Sequence, residues 1–353
     1  MVSHLKSSSS SSSSGRTPLG VSLAIFLVLL LGALVATRPG DVSDITLAPP
    51  QAQTPEPVTL VMVGDIMFDR GVRASVEKNL AGDYHRLYEH ASYLARADIA
   101  FGNLEGPVAT GGRNVGSRFS FRMDPVGLLA MQSAGFDVVS FANNHVGDYT
   151  LAALTETLDR LRESGVLAAG AGRNRDEAAS VQVIDVRDTT VGFIAASDVG
   201  PAWAEASDTR EGILLADDTN FSSIIAEADA QVDVLVVSFH WGDEYSPVNS
   251  RQEKLAKAAI DAGADVVVGH HPHVMERVEA YQGKPIFYSL GNYIFDQYFS
   301  PHTMRGMVAF VSIDPKTNEL TWNVQVSPIS SQYVPQPLVD FDESMLVTKT
   351  FTP

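Results

Sequence analysis

The sequence comprises 353 residues, with 25 Lys and Arg against 42 Asp and Glu, a formal net charge of −17 and no Cys. Disulfides, thiolate catalysis and Cys-ligated zinc or iron–sulfur sites are therefore excluded. The excess of acid also argues against nucleic acid as a partner, because that binding needs Lys and Arg to neutralise phosphates. The length and an apolar fraction of 45% suit one large domain, or two smaller ones, with a substantial core.

The N-terminal residues differ in charge from the rest of the chain. Before Asp41 there are three basic residues and no acidic one, so the remaining 22 basic and 42 acidic residues give the rest a net charge of −20. Residues 1–18 include a run of eight serines. Serine cannot build a core, so this segment is predicted to be a disordered tail on the cytoplasmic side.

Residues 19–37 are apolar and uncharged, and their length is close to the minimum for a helix that crosses a bilayer. The basic residues before them favour a cytoplasmic N-terminus and an exported body. A cleaved signal peptide and an uncleaved signal anchor both fit, but Leu34 at position −3 from a cleavage after Ala36 favours the anchor. We expect a single-pass protein of the cell membrane with an extracytoplasmic body, joined by a linker at residues 38–57.

The body alternates short β-branched segments with helical ones, which predicts an α/β domain with largely parallel sheet near its start. The predicted strands are residues 58–63, 98–101, 137–141, 181–186, 191–195, 232–239 and 264–268. The predicted helices are residues 125–134, 151–164, 221–230 and 251–262. Later strands at 284–289, 306–313 and 320–327 lack intervening helices and are predicted to add in antiparallel fashion. This pattern predicts one domain over residues 58–330, followed by a weakly patterned C-terminal tail at 331–353.

Polar residues follow several predicted strands at the point where each strand ends, and five of the nine His are among them. In open α/β sheets ligand sites form beyond the carboxyl ends of the strands, so these residues are expected to meet. They are Asp65; Asn103 and Glu105; Asn143, Asn144 and His145 with Asp148; His240 and Trp241; and His270, His271 and His273.

This set of side chains predicts a metal site. Imidazole with carboxylate and amide oxygen suits zinc, manganese or iron, as one ion or two. His271 and His273 are two apart, so in an extended segment both would face the same way, although His270 stays a third candidate. A carboxylate such as Asp65 or Glu105 could bridge two cations, which together promote in-line displacement at phosphorus. His145 could then act as an acid or stabilise developing charge.

Each of these residues also has a structural interpretation. Asp65 could cap a helix or a turn, Asn103 and Glu105 could be caps, and His240 could be a half-buried histidine. Arg70, with Arg73, Arg118 and Arg122, is the best candidate for anion binding near the early loops. Asn103, Trp241 and Asn292 are further candidates for substrate contact, although Trp241 could equally be a packing residue. The sequence contains no Gly-x-Ser-x-Gly segment, so a serine hydrolase has no support.

The order of the motifs resembles the bacterial capsule synthesis family of poly-γ-glutamate proteins, of the CapA/PgsA type. The resemblance covers residues 58–297. It rests on Gly64-Asp65-Ile66-Met67, Asn103-Leu104-Glu105, Ala142-Asn143-Asn144-His145 with Asp148, His240-Trp241-Gly242 with Glu244-Tyr245, Gly269-His270-His271-Pro272-His273-Val274 and Ser289-Leu290-Gly291-Asn292-Tyr293-Ile294-Phe295.

Such proteins are in turn similar to calcineurin-like metallophosphoesterases, which implies a four-layer sandwich of two sheets flanked by helices. The resemblance implies His145 as the catalytic histidine and Glu105 as a bridging carboxylate. It places Met67 where those enzymes have a metal-binding His. The metal ligands that it implies are Asp65, Asn144, His240, His271 and His273.

Three functions follow from the resemblance as hypotheses. The first is a membrane-anchored protein of capsule poly-γ-glutamate synthesis or export, with a metal centre and other capsule proteins as partners. The second is an extracytoplasmic metal-dependent phosphoesterase acting on a phosphate ester. The third is a non-catalytic module that binds the anionic polymer.

Overall fold

The computed structural model describes residues 56–216 and 220–349. These residues belong to the second of two units, Thr54–Pro353. The predicted cytoplasmic tail, the membrane segment at 19–37 and nearly all of the linker lie outside the described residues. Within the described ranges, no helix combines the length and the apolar character needed to cross a membrane.

The described chain contains sixteen strands, most of them short and buried. In chain order they are β1 (Val58–Ile66), β2 (Ile99–Leu104), β3 (Val138–Ser140), β4 (Leu167–Ala169), β5 (Ala171–Gly172), β6 (Gln182–Val186), β7 (Thr189–Ser197), β8 (Gly212–Ile213), β9 (Val234–His240), β10 (Val266–His270), β11 (Val278–Tyr281), β12 (Lys284–Phe287), β13 (Asn292–Ile294), β14 (Arg305–Ile313), β15 (Leu320–Pro328) and β16 (Val339–Asp340).

Six α-helices connect these strands, and the described residues also contain three short 3-10 helices. The α-helices are α1 (Arg70–Asn79), α2 (Pro125–Ser133), α3 (Thr150–Ser164), α4 (Arg175–Ala179), α5 (Phe221–Asp229) and α6 (Ser250–Asp261). The ends of these helices follow from local chemistry. Asn249 caps α6 in a reciprocal capping box with Gln252, and Gly165 ends α3 in the left-handed conformation that glycine adopts without strain.

The first sheet has the spatial order β16-β15-β14-β1-β2-β3-β4. Strands β1 to β4 are parallel, as the βαβ pattern of the sequence predicts, and β14 joins β1 in antiparallel pairing. The short β13 pairs with the carboxyl end of β1, where Asp65 is the partner of Asn292. Beyond Ser330 the chain continues on this sheet, since β16 pairs with β15.

The second sheet has the order β11-β12-β10-β9-β7-β6. Its inner strands are parallel and its two edge strands are antiparallel to their neighbours. One expectation is only partly correct here: β12, within the predicted strand 284–289, is antiparallel to β11 but parallel to β10. The reason is that β11 forms an antiparallel hairpin with β12 and so reverses the chain before β12 reaches β10.

The two sheets pack face to face around the main core. Phe101 of β2 stacks on Phe193 of β7 with ring centroids 5.7 Å apart. Along β9 the residues alternate: Val234 and Val236 join the core that includes the first sheet, while the intervening Leu235 joins a second cluster with residues of α5 and α6. The architecture is therefore α/β, with two mixed sheets and helices packed on them, and the parallel strands of both sheets carry the site at their carboxyl ends.

Candidate metal centre

The site is assembled where parallel strands of both sheets end. Asp65 lies at the end of β1, Glu105 just after β2, and His240 at the end of β9. The close approach of β13 to β1 depends on Gly64, because a Cβ there would lie 1.9 Å from the carbonyl oxygen of Gly291. The Asp65 amide donates to that same oxygen at 2.9 Å, which fixes the Asp65 side chain at the bottom of the site.

Two buried carboxylates share one histidine at the centre of the site. His273 Nδ1 lies 3.2 Å from Asp65 Oδ2, and His273 Nε2 lies 3.5 Å from Glu105 Oε1. The ligand atoms of Asp65, Glu105 and His273 all lie within 4.8 Å of one another, and all three residues are buried. Carboxylates are rarely buried without a cation or a full set of donors, so this group is suited to a metal ion.

Further ligand atoms surround this group. His240 Nε2 lies 2.9 Å from Asn144 Oδ1, and the rings of His240 and His271 have centroids 4.8 Å apart. A second group of three ligand atoms within 4.8 Å consists of Glu244, His271 and His273. His273 belongs to both groups. His273 can therefore ligate a cation in one of the two groups, and the remaining carboxylates and imidazoles lie around it.

Two buried polar atoms support the fit of a metal to these residues. Glu105 Oε1 and His271 Nδ1 are inaccessible to solvent and form no hydrogen bond within the described residues. Leaving a buried donor or acceptor unpaired costs about 1–3 kcal/mol, more for a charged group. Both atoms face groups of oxygen and imidazole donors of the kind that zinc, manganese and iron prefer. A divalent cation in the first group would give Glu105 a partner, and one in the second group would give His271 a partner.

The protonation states follow from burial and from mutual charge. Burial works to raise the pKa of Asp65, but hydrogen bonds and charges from His270 and His273 hold it well below its usual range. Burial raises the pKa of Glu105 well above its usual value, partly offset by the charge of His273 and reinforced by that of Asp65.

The pKa values of the imidazoles also shift in opposite directions. Burial works to lower the pKa of His273, but the charges of Glu105 and Asp65 raise it to about 9. Burial, with the charge of His273, lowers the pKa of His271 to about 3. Burial and the nearby charge of His271 also lower the pKa of His240 well below its usual value. Two neutral imidazoles therefore lie beside a carboxylate–imidazole pair, and neutral imidazole is the form that binds metal.

The backbone of the histidine loop differs from the sequence expectation. Residues 271–273 are not extended, because β10 ends at His270 and the φ angles of His271 and His273 are 97° and 58°. Tyr245 on the facing loop has a φ angle of 58°. Such left-handed conformations are uncommon outside glycine and cluster at functional sites. His271 and His273 still enter the same site, with ring centroids 6.0 Å apart, whereas His270 lies behind them with Nδ1 3.2 Å from Asp65 Oδ1.

His145 and Asp148 form a pair beside the carboxylates. His145 Nδ1 lies 2.8 Å from Asp148 Oδ2, and the same oxygen accepts a hydrogen bond from the Phe121 amide at 2.8 Å. The Phe121 ring stacks on the imidazole with centroids 4.0 Å apart. His145 Nε2 is directed to the other side, 3.8 Å from Glu105 Oε1. The imidazole is thus fixed at one nitrogen while the other faces the site.

Three of the candidates for substrate contact are fully buried and bonded to protein. Asn103 Nδ2 donates to Asp65 Oδ1 at 2.8 Å, and Asn292 Oδ1 lies 3.0 Å from His273 Nδ1, so both hold ligands in place. The Trp241 indole donates to the Tyr288 carbonyl oxygen at 2.8 Å and stacks on Phe239. The structure therefore places Trp241 in the core behind His240 and not in the cleft.

Arg70 is at the rim of the site. Its guanidinium pairs with Asp296 and lies 4.6 Å from the centroid of the Phe121 ring. Asn143 joins the site as the sequence predicts, whereas Glu244 joins it without having been singled out as a single residue from the sequence. Asn143 donates to Asn103 Oδ1 at 3.3 Å, and the only sequence signal for Glu244 was its place in the His240 motif.

The described residues thus define a class of protein: a two-sheet α/β domain with a buried histidine–carboxylate site at the strand ends. The sequence profile described as "Bacterial capsule synthesis protein PGA_cap" matches residues 59–297. The chain belongs to this bacterial capsule synthesis family.

The chain is 34% identical over 285 residues to the capsule biosynthesis protein CapA of Bacillus anthracis, covering 78% of this chain and 68% of that one. It is 35% identical over 240 residues to the PGA biosynthesis protein CapA of Bacillus subtilis (strain 168), covering 67% of this chain but only 62% of that one. Among solved structures it is similar to the calcineurin-like phosphoesterase YfkN of Bacillus subtilis, at 12% identity and a TM-score of 0.46, covering 80% of this chain and 93% of that one.

Proposed function

We propose that this protein acts in the synthesis or export of a bacterial capsule polyglutamate, and that it does so through a divalent metal centre in a metallophosphatase-like domain. Family membership and the similarity to the two capsule proteins support the polymer. The observation that carries the metal centre is the group of Asp65, Glu105 and His273, whose ligand atoms lie within 4.8 Å of one another in a buried site.

The residues proposed to hold the metal are those of the two ligand groups and their neighbours. They are Asp65, Glu105, Asn144, His240, Glu244, His271 and His273. A bound divalent cation would supply Lewis-acid polarisation of a phosphoryl or carbonyl oxygen of the substrate. The second layer of contacts from Asn103 and Asn292 orients two of these ligands, as outer hydrogen bonds do in metal sites generally.

The His145–Asp148 pair favours a hydrolytic role for this centre, with an extracytoplasmic phosphoesterase as the second candidate function. Asp148 fixes the imidazole at Nδ1, so Nε2 faces the carboxylates and can give a proton to a leaving oxygen. A non-catalytic polymer-binding module would have no use for an oriented imidazole at this position. Turnover of a generic phosphodiester separates these two candidates.

The proposed location is the outer face of the cell membrane, with residues 19–37 as a single anchor. Their apolar composition and the basic residues before them support this orientation. Protease added to intact, wall-stripped cells should digest the body while the N-terminal tail stays protected. A body that is digested only after the cells are lysed would contradict the proposal.

Deletion of the gene in its own bacterium tests the role in the capsule. We expect cell-surface polyglutamate, measured as glutamate released by acid hydrolysis of washed capsule, to fall to background. Wild-type protein should restore the polymer, and a His271→Ala/His273→Ala variant of equal abundance should not. A deletion strain that keeps its surface polyglutamate would contradict the proposed function.

A further inference from the structure

A basic segment crosses the rim of the site in an otherwise acidic body. Residues 106–123 contain three arginines (Arg113, Arg118 and Arg122) and no acidic residue, although the chain after residue 40 has a net charge of −20. We call residues 106–123 the arginine segment. Like charges repel within the Debye length of about 8 Å, so a polyanion needs a local surface of this kind to approach the protein.

Two of the three arginines of this segment are available to a ligand. Arg113 and Arg118 are exposed, and within the described residues none of the three forms an ion pair with a carboxylate. Arg122 donates instead to the Gly111 carbonyl oxygen at 3.2 Å and lies over the Tyr149 ring. By contrast, Arg70 at the same rim is already paired with Asp296.

The segment is anchored directly on the His145–Asp148 pair. The Val115 amide donates to the Asp148 carbonyl oxygen at 2.9 Å, and the Phe121 amide donates to the Asp148 side chain. The Asn114 side chain braces the turn by accepting from the Gly116 amide at 2.7 Å. The arginines are therefore presented by a fixed loop that leads to the imidazole.

A cavity of about 500 Å³ lies between this segment and an exposed tryptophan. Its lining includes Val115, Ser117, Asn144, Asp148 and Trp203. The Trp203 side chain is 48% exposed, and its ring covers Gly147, where a Cβ would lie 2.2 Å from the ring. The cavity is thus lined by the part of the arginine segment between Arg113 and Arg118, by Trp203, and by Asn144 and Asp148 beside His145.

We infer that the arginine segment and Trp203 form a binding track for a polycarboxylate chain, which leads the chain to His145. This inference rests on the proposed function and adds the surface that recognises the polymer. A single small anion can occupy one guanidinium, whereas a chain with a carboxylate on every repeat can pair with Arg113 and Arg118 together. The methylene groups between those carboxylates suit the apolar face of Trp203.

The experiment measures binding of a fluorescently labelled γ-linked oligoglutamate to the purified full chain by anisotropy. The variant Arg113→Gln/Arg118→Gln should bind the probe about tenfold more weakly at low ionic strength. The difference between variant and wild type should shrink at high salt, because exposed ion pairs are screened. Trp203→Ala should also weaken binding, and this loss should persist at high salt.

The matched control is Arg96→Gln, since Arg96 is exposed, makes no ion pair with a carboxylate in the described ranges and bonds only to Ser92 Oγ. It should bind the probe as the wild type does. If the double variant binds no more weakly than this control, the track is refuted. Inorganic polyphosphate that competes as strongly, charge for charge, as unlabelled oligoglutamate would refute the polycarboxylate assignment.

Metal content separates this inference from the proposed function. The double arginine variant should retain the divalent metal of the wild type, so weakened probe binding with full metal content supports the track alone. Unchanged probe binding with full metal content refutes the track and leaves the metal centre standing. A wild-type chain without metal that still loses probe binding on Arg113→Gln/Arg118→Gln refutes the metal centre and supports the track.

Discussion

His145 is the residue through which the site would move a proton. Replacement by Ala removes the imidazole that Asp148 holds at 2.8 Å. We predict that His145→Ala lowers phosphodiester turnover about 10²–10⁴-fold, the usual contribution of a positioned acid or base. Metal content should not change, because His145 is not in either ligand group.

The control for this prediction is His85→Ala, which removes an exposed histidine bonded to Asp83. Turnover by the control should match the wild type in a spectrophotometric assay. Equal turnover by His145→Ala and the wild type would rule out a catalytic role for this imidazole.

Glu276 is a buried carboxyl group outside the metal centre, and it gives a prediction for pH. Gln252 Nε2 donates to Glu276 Oε2 at 2.7 Å, while Oε1 is buried without a hydrogen bond in the described part of the chain. Burial raises the pKa of Glu276 to about 8 from an ordinary value of 4.5, against the opposing hydrogen bond from Gln252. Between those two values the folded protein holds a proton that the unfolded chain releases.

Because only the folded protein keeps this proton, the free energy of unfolding of the wild type falls as the pH rises from about 4.5 to about 8. Glu276→Gln keeps the acceptor for Gln252 but cannot ionise. Relative to wild type, the variant should therefore gain about 5 kcal/mol across that range, since each pKa unit corresponds to about 1.4 kcal/mol. Urea unfolding at both ends of the range measures the gain. The exposed Glu163→Gln serves as the control, and a variant whose pH dependence equals that of the wild type would contradict the assignment.

At the scale of the elements, the contact between β1 and β13 holds the site together. A Cβ at Gly64 would lie 1.9 Å from the Gly291 carbonyl oxygen, so Gly64→Ala must separate the two strands. We predict a loss of about 3 kcal/mol in the free energy of unfolding, at the upper end for overpacking, together with weaker metal retention. Thermal unfolding measures the first effect.

Gly111→Ala is the matched control for this prediction. A Cβ at Gly111 would meet only Glu156 Oε2, at 3.2 Å, so the neighbouring atom needs to shift by only a few tenths of an ångström. The control should unfold close to the wild-type temperature. A Gly64→Ala protein as stable as this control would show that β13 can shift without cost.

Local pattern predicted the elements that carry the site, because strands such as β1 and β9 are apolar runs that end in polar residues. It did not predict α1, whose sequence Arg-Gly-Val-Arg-Ala-Ser-Val-Glu-Lys-Asn is mostly polar with few apolar positions. It also did not predict β13 beside β1, since that pairing joins Asp65 to Asn292 across more than half the chain.

The same limit applies to single side chains in the site. A sequence shows that Trp241 follows a strand, but its burial against Phe239 and Tyr288 depends on how the second sheet packs. Likewise, Glu244 becomes a candidate ligand only because the left-handed histidine loop brings His271 and His273 to it. Tertiary packing determines both the burial of Trp241 and the position of Glu244, and a local sequence pattern does not contain that information.

At the scale of the whole molecule, the net charge of −17 averages parts with different roles. The N-terminal residues are basic, the body is acidic, and within the body the basic residues 106–123 lie beside a buried group of carboxylates and imidazoles. The negative charge of buried carboxylates needs a cation to balance it. Because the sequence has no Cys, oxygen and imidazole donors are left to bind that cation. The central claim is therefore a divalent metal held by the strand-end residues.

Metal analysis of the purified full chain by inductively coupled plasma mass spectrometry tests this claim most directly. We predict that the wild type retains at least one divalent cation per chain after dialysis. His271→Ala/His273→Ala should lose it, and His85→Ala/His90→Ala, which removes two exposed histidines, should keep it. A wild-type chain without bound metal would contradict the metal centre. A His271→Ala/His273→Ala chain that keeps its metal would contradict its assignment to these residues.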